Sequence, residues 1–382
     1  MTEMRKDPYL FTPGPLTTSL TTKEAMLHDW GSRDADFIRI NRRVRDRLVE
    51  LAGGAGTHVC VPLQGSGTFI VEAMIGTLVP PAGKLLALVN GAYGKRMVRM
   101  CEYYRRACAV IEAPEDQAVD PAALDAALAG DPTITHVVVV HCETTSGVLN
   151  PVEAIAAVTA RHGRRLLVDA MSAFGAIPLD AAQTPFDAAA ASANKCLEGV
   201  PGIGFAIVRR AALEAAKGNA PSLSLDLHDQ WVNMEKTGQW RFTPPTHVMA
   251  ALDQALSEHA AEGGVAGRGA RYAANCRILR HGLRAMGFET LLPEALQAPI
   301  IVTVRMPADP RFDFETFYER LSQRGFVIYP GKLTVADSFR IGCIGRLGEA
   351  EMCGVLDAIR DIVGEMGVTQ RGPAGSEARA RR

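Results

Sequence analysis

Short apolar runs recur along the chain from about residue 57, each separated from the next by a helical stretch: THVCVPLQ, KLLALVN, ACAVIEA, THVVVVHC, RRLLVDA, DAAAASA and GFAIVRR. Runs of roughly four to eight apolar residues without polar alternation predict strands buried on both faces of a parallel sheet, because helical crossovers cover both sides. Two intervening helices carry their own end signals. DPAALDAALAGDP starts at an Asp-Pro pair and stops at Gly130, and NPVEAIAAVTARHG opens at Asn150-Pro151 and closes at Gly163. Together these elements predict a doubly wound α/β domain with a mostly parallel seven-stranded sheet.

After about residue 245 the pattern changes to one long helical stretch over 246–287. Strands PIIVTVRMP, GFVIYPG and SFRIGCIG follow, with a helix between the first two and a last helix over about 347–366. This texture predicts a smaller α+β domain. The expected organisation is an N-terminal segment over 1–20, a large domain over 21–255, a small domain over 256–366 and a solvated, disordered tail over 367–382.

Charge changes the picture only by exclusion. The chain has 41 basic and 42 acidic residues, a balance that points to no nucleic-acid or other polyanionic partner. The N-terminus has no apolar leader core and no segment reaches about 18 uninterrupted apolar residues, so no membrane span is expected. The eight cysteines include no CxxC pair and no histidine at metal-ligand spacing, which predicts reduced thiols, no metal and a cytoplasmic location.

In sheets of this kind ligands gather outside the carboxyl ends of the strands. Gly65, Ser66, Gly67 and Thr68 end one strand and open a helix, offering backbone N–H groups and hydroxyls that suit a phosphate. An ordinary glycine turn reads the same way. Tyr93, between two glycines, has a ring able to lie on a planar ligand or to cap a helix. Glu143, Thr144, Thr145 and Ser146 crowd the mouth of a very apolar strand, as ligand contacts or as a turn network. Asp169 ends another apolar strand, where a desolvated carboxylate needs a cationic or N–H partner or caps the next turn. Asn194 and Lys195 end an Ala/Ser strand before Gly199, Gly202 and Gly204. Burial there lowers an amine's pKa, and a neutral amine can attack a carbonyl to form a Schiff base. A phosphate cradle, a stacking ring, a strand-end acid and such a lysine together match pyridoxal 5'-phosphate (PLP) better than any one does alone.

These motifs, with LFTPGPLTTS, NGAYGKRM, HCETTSGVLNP, SANKCLEGVPG, WRFTPPTH, GFVIYPGK and FRIGCIG, resemble fold-type I, class V PLP-dependent aminotransferases along nearly the whole chain. Within them they are similar to the 2-aminoethylphosphonate–pyruvate transaminases. The resemblance implies that Lys195 carries PLP as a Schiff base and that Asp169 faces the pyridine nitrogen. It assigns Tyr93 to the ring face, Asn194 to the cofactor, Thr145 to the ring oxygen, and Ser66, Gly67 and Thr68 to the phosphate. Thr243 is implied to reach the phosphate of a neighbouring subunit, which makes a homodimer with shared sites part of the expectation. Arg340 is implied to hold the substrate anion, with Thr12, Pro13 and Gly14 closing that pocket.

The implied reaction takes 2-aminoethylphosphonate and pyruvate to phosphonoacetaldehyde and L-alanine. A related serine/alanine–glyoxylate aminotransferase would carry the same Lys, Asp and Arg. A desulfurase-type lyase would need a mobile cysteine, for which only Cys196 and Cys343 lie near. A non-catalytic nucleotide-binding scaffold would have no use for Lys195 and Asp169. Glu198 stands where the resembled enzymes carry glutamine, close enough to Lys195 to alter local charge.

Overall fold

The computed structural model describes residues 7–333 and 336–373. The central sheet is built from β1 (His58–Gln64), β2 (Lys84–Val89), β3 (Ala107–Glu112), β4 (Ile134–Val140), β5 (Arg165–Asp169), β6 (Ala188–Ser192) and β7 (Ile203–Arg209), in the order β1-β7-β6-β5-β4-β2-β3. Only β7 runs against its neighbours, β1 and β6. The seven predicted strands form one sheet, but not every strand is covered on both faces. The edge strand β3 leaves Ala107 and Ile111 partly or fully exposed and Glu112 in solvent.

Both sheet faces are apolar because side chains alternate along each strand. Leu86, Leu88, Val137, Val139, Leu166 and Val168 point into one core, while Leu85, Ala87, Val138, Val140 and Leu167 point into the other. The alanines of β6 have a separate use. Small side chains there and at Gly204 let helix α1 (Gly67–Leu78) pack close: a β-carbon at Gly204 would come within 2.8 Å of Ile70. This contact sets the N-terminus of α1 over the strand ends. Helix α2 (Ala92–Tyr103) follows β2 and opens beside it.

The predicted single helical stretch over 246–287 is two helices, α3 (Thr246–Ala261) and α4 (Gly264–Ala285). Gly263 and Gly264 between them have φ of 97° and 67°, a left-handed turn that breaks the helix. The smaller α+β unit has its own core, drawn from Phe11 and residues between 276 and 368, around a three-stranded antiparallel sheet that contains β8 (Ile301–Arg305), β9 (Tyr329–Pro330) and β10 (Ser338–Gly342). The stretch GFVIYPG is two short pieces, since Phe326–Val327 pairs with Tyr9–Leu10 while β9 pairs with β10. Through that first pairing the N-terminal segment is carried to Thr12–Pro15. Packing also runs past residue 366: Val368 is buried, and Thr369 and Gln370 donate to Asp309. The remainder of the expected tail, 374–382, lies outside the described residues. Among them no helix is long and apolar enough to cross a membrane.

Candidate active site

A cavity of about 630 Å³ opens at the carboxyl ends of the parallel strands, where the topology expects a ligand. Its walls include Gly14, Ser66, Gly67, Thr68, Tyr93, Asp169, Asn194 and Lys195, which sequence reasoning singled out from separate parts of the chain.

Lys195 follows β6 on a tight turn in which Glu198 N–H donates to the Lys195 carbonyl and Gly199 N–H to Ala193. Its Nζ donates to the carbonyl of Pro13 from the N-terminal segment. Burial lowers the Lys195 pKa to about 8, and Lys332 and Arg340 push it the same way, against Cys196 and Asp169. Asp169 is 5% exposed at the end of β5, and its Oδ1 accepts from Met171 N–H at 3.0 Å. Burial raises its pKa to about 6, helped by Glu143 and opposed by Met171 N–H, Arg96 and Lys195.

The N-terminus of α1 forms the cradle. Ser66 is its N-cap in extended conformation, with its side chain making no capping bond, and it lines the cavity together with Gly67 and Thr68. Gly67 has no room for a side chain, since a β-carbon would come within 2.4 Å of Met171 Sδ. Ser192 Oγ, also in the wall, is buried without a hydrogen-bond partner. An open helix terminus, a side-chain-free approach, a buried acid and an orphaned hydroxyl fit PLP, whose phosphate, ring nitrogen and ring oxygen need such groups.

Several expected residues stand elsewhere. Thr145 is fully buried behind the wall, its hydroxyl donating to Glu143 at 2.6 Å and accepting from Ala92 N–H at 3.1 Å. Burial raises the Glu143 pKa, which its bonds from Thr145, Tyr93 and Gly94 oppose. Arg340 is 1% exposed and lies behind the wall, held by the carbonyls of Thr144 at 2.8 Å and Pro330 at 3.0 Å. Thr12 does not line the cavity either; its hydroxyl donates to the Pro15 carbonyl and accepts from Gly14 N–H. Thr243 does not line this cavity; it lies with Trp240 and Phe242 in two other hollows, one of them walled by Gln64 and Phe69 on either side of the cradle. Glu198 is engaged on the side of α4: it accepts from Arg271 and Tyr272, each at 2.7 Å.

Three polar wall residues escaped the sequence reading. Arg96 lies on α2 one turn after Tyr93, with its guanidinium 5.0 Å from the Tyr93 ring centre and Nη1 donating to Thr68 at 3.0 Å. The helical i, i+3 spacing to Tyr93 was a usable signal. Lys332 approaches the same ring at 5.8 Å, and Ser192 ends β6. Neither carries a local signal.

Comparison with known proteins agrees with this geometry. The class-V aminotransferase family matches residues 33–334. The chain is 57% identical to 2-aminoethylphosphonate–pyruvate transaminase 2 of Burkholderia lata, over 94% of this chain and 96% of that one. It is 54% identical to the 2-aminoethylphosphonate–pyruvate transaminase of Pseudomonas aeruginosa, over 97% and 100%. The crystal structure of pyridoxamine-pyruvate aminotransferase from Mesorhizobium loti superposes with a TM-score of 0.86 at 27% identity, covering 96% of this chain and 94% of that one. With a desolvated lysine and a strand-end acid facing one cavity of a fold-type I sheet, this chain belongs to the class-V aminotransferases and is a PLP-dependent enzyme.

Proposed function

We propose that the enzyme transfers the amino group of 2-aminoethylphosphonate to pyruvate, giving phosphonoacetaldehyde and L-alanine. The observation that carries this reading is near-full-length identity of 54–57% to relatives bearing that name. Amino transfer itself is supported by Lys195 and Asp169 facing one cavity.

In this reading Lys195 holds PLP, and the residues around it divide the remaining work. Bound PLP supplies the electron sink that makes the carbon bearing the substrate nitrogen acidic. Lys195 Nζ, whose pKa near 8 leaves part of it neutral at neutral pH, takes the proton from that carbon and later returns it. The Asp169 carboxylate keeps a proton on the nitrogen opposite it by charge attraction. Ser66, Gly67 and Thr68 hold the phosphate, Thr145 backs the side of the ring oxygen and Asn194 contacts the cofactor, while the Tyr93 ring excludes water from one side. Arg340, with Nε and Nη1 held by Pro330 and Thr144, is read as meeting the anionic end of either substrate through the rest of its guanidinium, with Thr12, Pro13 and Gly14 closing that end.

The working assembly is read as a homodimer in which Thr243, which is not among the residues lining its own cavity, serves the neighbouring subunit's phosphate. A cytoplasmic location suits the eight free cysteines. A coupled assay tests the reaction: 2-aminoethylphosphonate with pyruvate, against serine or alanine with glyoxylate. Turnover of the first pair at least tenfold above the others is the expected result; turnover only with glyoxylate overturns the phosphonate reading.

A further inference from the structure

The substrate end of the cavity must tell a phosphonate from a carboxylate, and Arg340 does not suffice for that. A guanidinium makes paired hydrogen bonds with either group. Arg340 is also held in place by the carbonyls of Thr144 and Pro330, so its position does not adapt to the charge it meets.

A second cation lines the cavity itself. Lys332 lies two residues beyond Pro330, lines the cavity with an exposed side chain, and brings its Nζ to 5.8 Å from the Tyr93 ring centre. Among the described residues no carboxylate is within ion-pair distance of Lys332, although the cavity's other cations are engaged: Arg96 with Thr68 and Lys195 with Pro13. Lys332 and Arg340 both act electrostatically on the Lys195 amine, so the three positive charges share one region.

Coulomb attraction scales with the product of the charges, so each cation gains twice as much from a dianion as from a monoanion at the same distance. Arg340 alone would leave a bound dianion with one negative charge uncompensated in a largely buried site. Arg340 with Lys332 neutralises it. Lysine also suits an intermittent role, being a point charge on a flexible stem that can return to water when a monoanion occupies the site.

We propose that Lys332 is a specificity-determining residue that joins Arg340 to hold a dianionic phosphonate and stays out of carboxylate binding. The proposal rests on the reading of Arg340 as the anion-holding arginine and names the feature that makes the site selective.

The test uses the PLP-loaded enzyme and two unreactive probes of similar size, ethylphosphonate and propionate, titrated by calorimetry at pH 8. Wild type is expected to bind ethylphosphonate at least tenfold tighter than propionate. Lys332→Met should bring that ratio below about threefold by weakening ethylphosphonate alone, and Lys332→Arg should largely restore it. In turnover, Lys332→Met should raise KM for 2-aminoethylphosphonate about tenfold and move KM for pyruvate less than twofold. A binding ratio unchanged in Lys332→Met, or an equal loss on both probes, overturns the proposal. Wild type that favours ethylphosphonate in binding but does not turn over 2-aminoethylphosphonate overturns the functional reading and leaves the dianion site standing.

Discussion

The backbone of Gly14 lies directly against the side chain of Lys195. A β-carbon at Gly14 would stand 2.7 Å from Lys195 Cδ and 2.9 Å from Nζ, and the Gly14 φ of 109° is one that L side chains rarely adopt. The N-terminal segment is thus a wall that sets where the amine can be. Gly14→Ala should displace Lys195 and strain the backbone together. The expected outcome is a fall in kcat/KM of tenfold or more, with stability reduced by about 1 kcal/mol or more, read from steady-state kinetics and urea unfolding.

Lys195 and Asp169 both cost the cofactor-free protein stability near neutral pH, in windows of opposite sign. Burial raises Asp169 from 3.8 to about 6, so its contribution is fully present below pH 3.8 and is lost as pH rises through 6. Burial lowers Lys195 from 10.5 to about 8, so its contribution is present above pH 10.5 and is lost as pH falls through 8. Asp169→Asn should therefore stabilise the cofactor-free protein at pH 7.5 and lose that advantage near pH 4, where the native acid is neutral as well. Urea unfolding at the two pH values checks this. The same variant, loaded with PLP, should lose about a hundredfold or more in kcat while its affinity for PLP changes only a few-fold.

The large sheet was legible because its strands are apolar runs that need no alternation to be recognised, and the residues closing each run were therefore candidates for the site. Lys195, Asp169, Tyr93 and Ser66–Thr68 were found in that way. The helix break at Gly263-Gly264 was visible as a glycine pair, but apolar and small residues continue on both sides and mask the interruption. Lys332 and Ser192 reach the cavity only through tertiary packing. The environment of Glu198 could not be read locally either, because its partners Arg271 and Tyr272 lie more than seventy positions along, on α4.

Arg96 links two parts of the site that the sequence offered separately, the phosphate cradle at Thr68 and the aromatic ring of Tyr93. A guanidinium over an aromatic face contributes about 0.5–2 kcal/mol, depending on desolvation, and its hydrogen bond fixes the Thr68 hydroxyl. Arg96→Met keeps the length of the side chain but removes both effects. Its affinity for PLP should fall about tenfold, measured by the change in visible absorbance as the cofactor-free protein is titrated with PLP.

Glu198 anchors the turn that carries Lys195 to the small unit. Its Oε1 receives Arg271 Nη2 and Tyr272 OH, and Arg271 in turn donates to the carbonyls of Gly345 and Leu347. Arg268, wholly buried, donates to the Cys196 carbonyl on the same turn and pairs with Glu262. Two arginines and two carboxylates thus form a charge-balanced network, buried at Arg268 and Glu198 and partly exposed at Arg271 and Glu262. Removing one carboxylate from such a network leaves positive charge uncompensated, which costs about 3–5 kcal/mol. Glu198→Ala should be destabilised by that amount in urea unfolding. Glutamine keeps an oxygen for Arg271 and Tyr272 but not the charge, so Glu198→Gln should lose only about 1–3 kcal/mol. Because the Glu198 carboxylate is bound to Arg271 and Tyr272 on α4, the pH dependence of kcat in Glu198→Gln should match that of wild type. A displaced profile would mean that Glu198 acts on the lysine's charge rather than on the position of its turn.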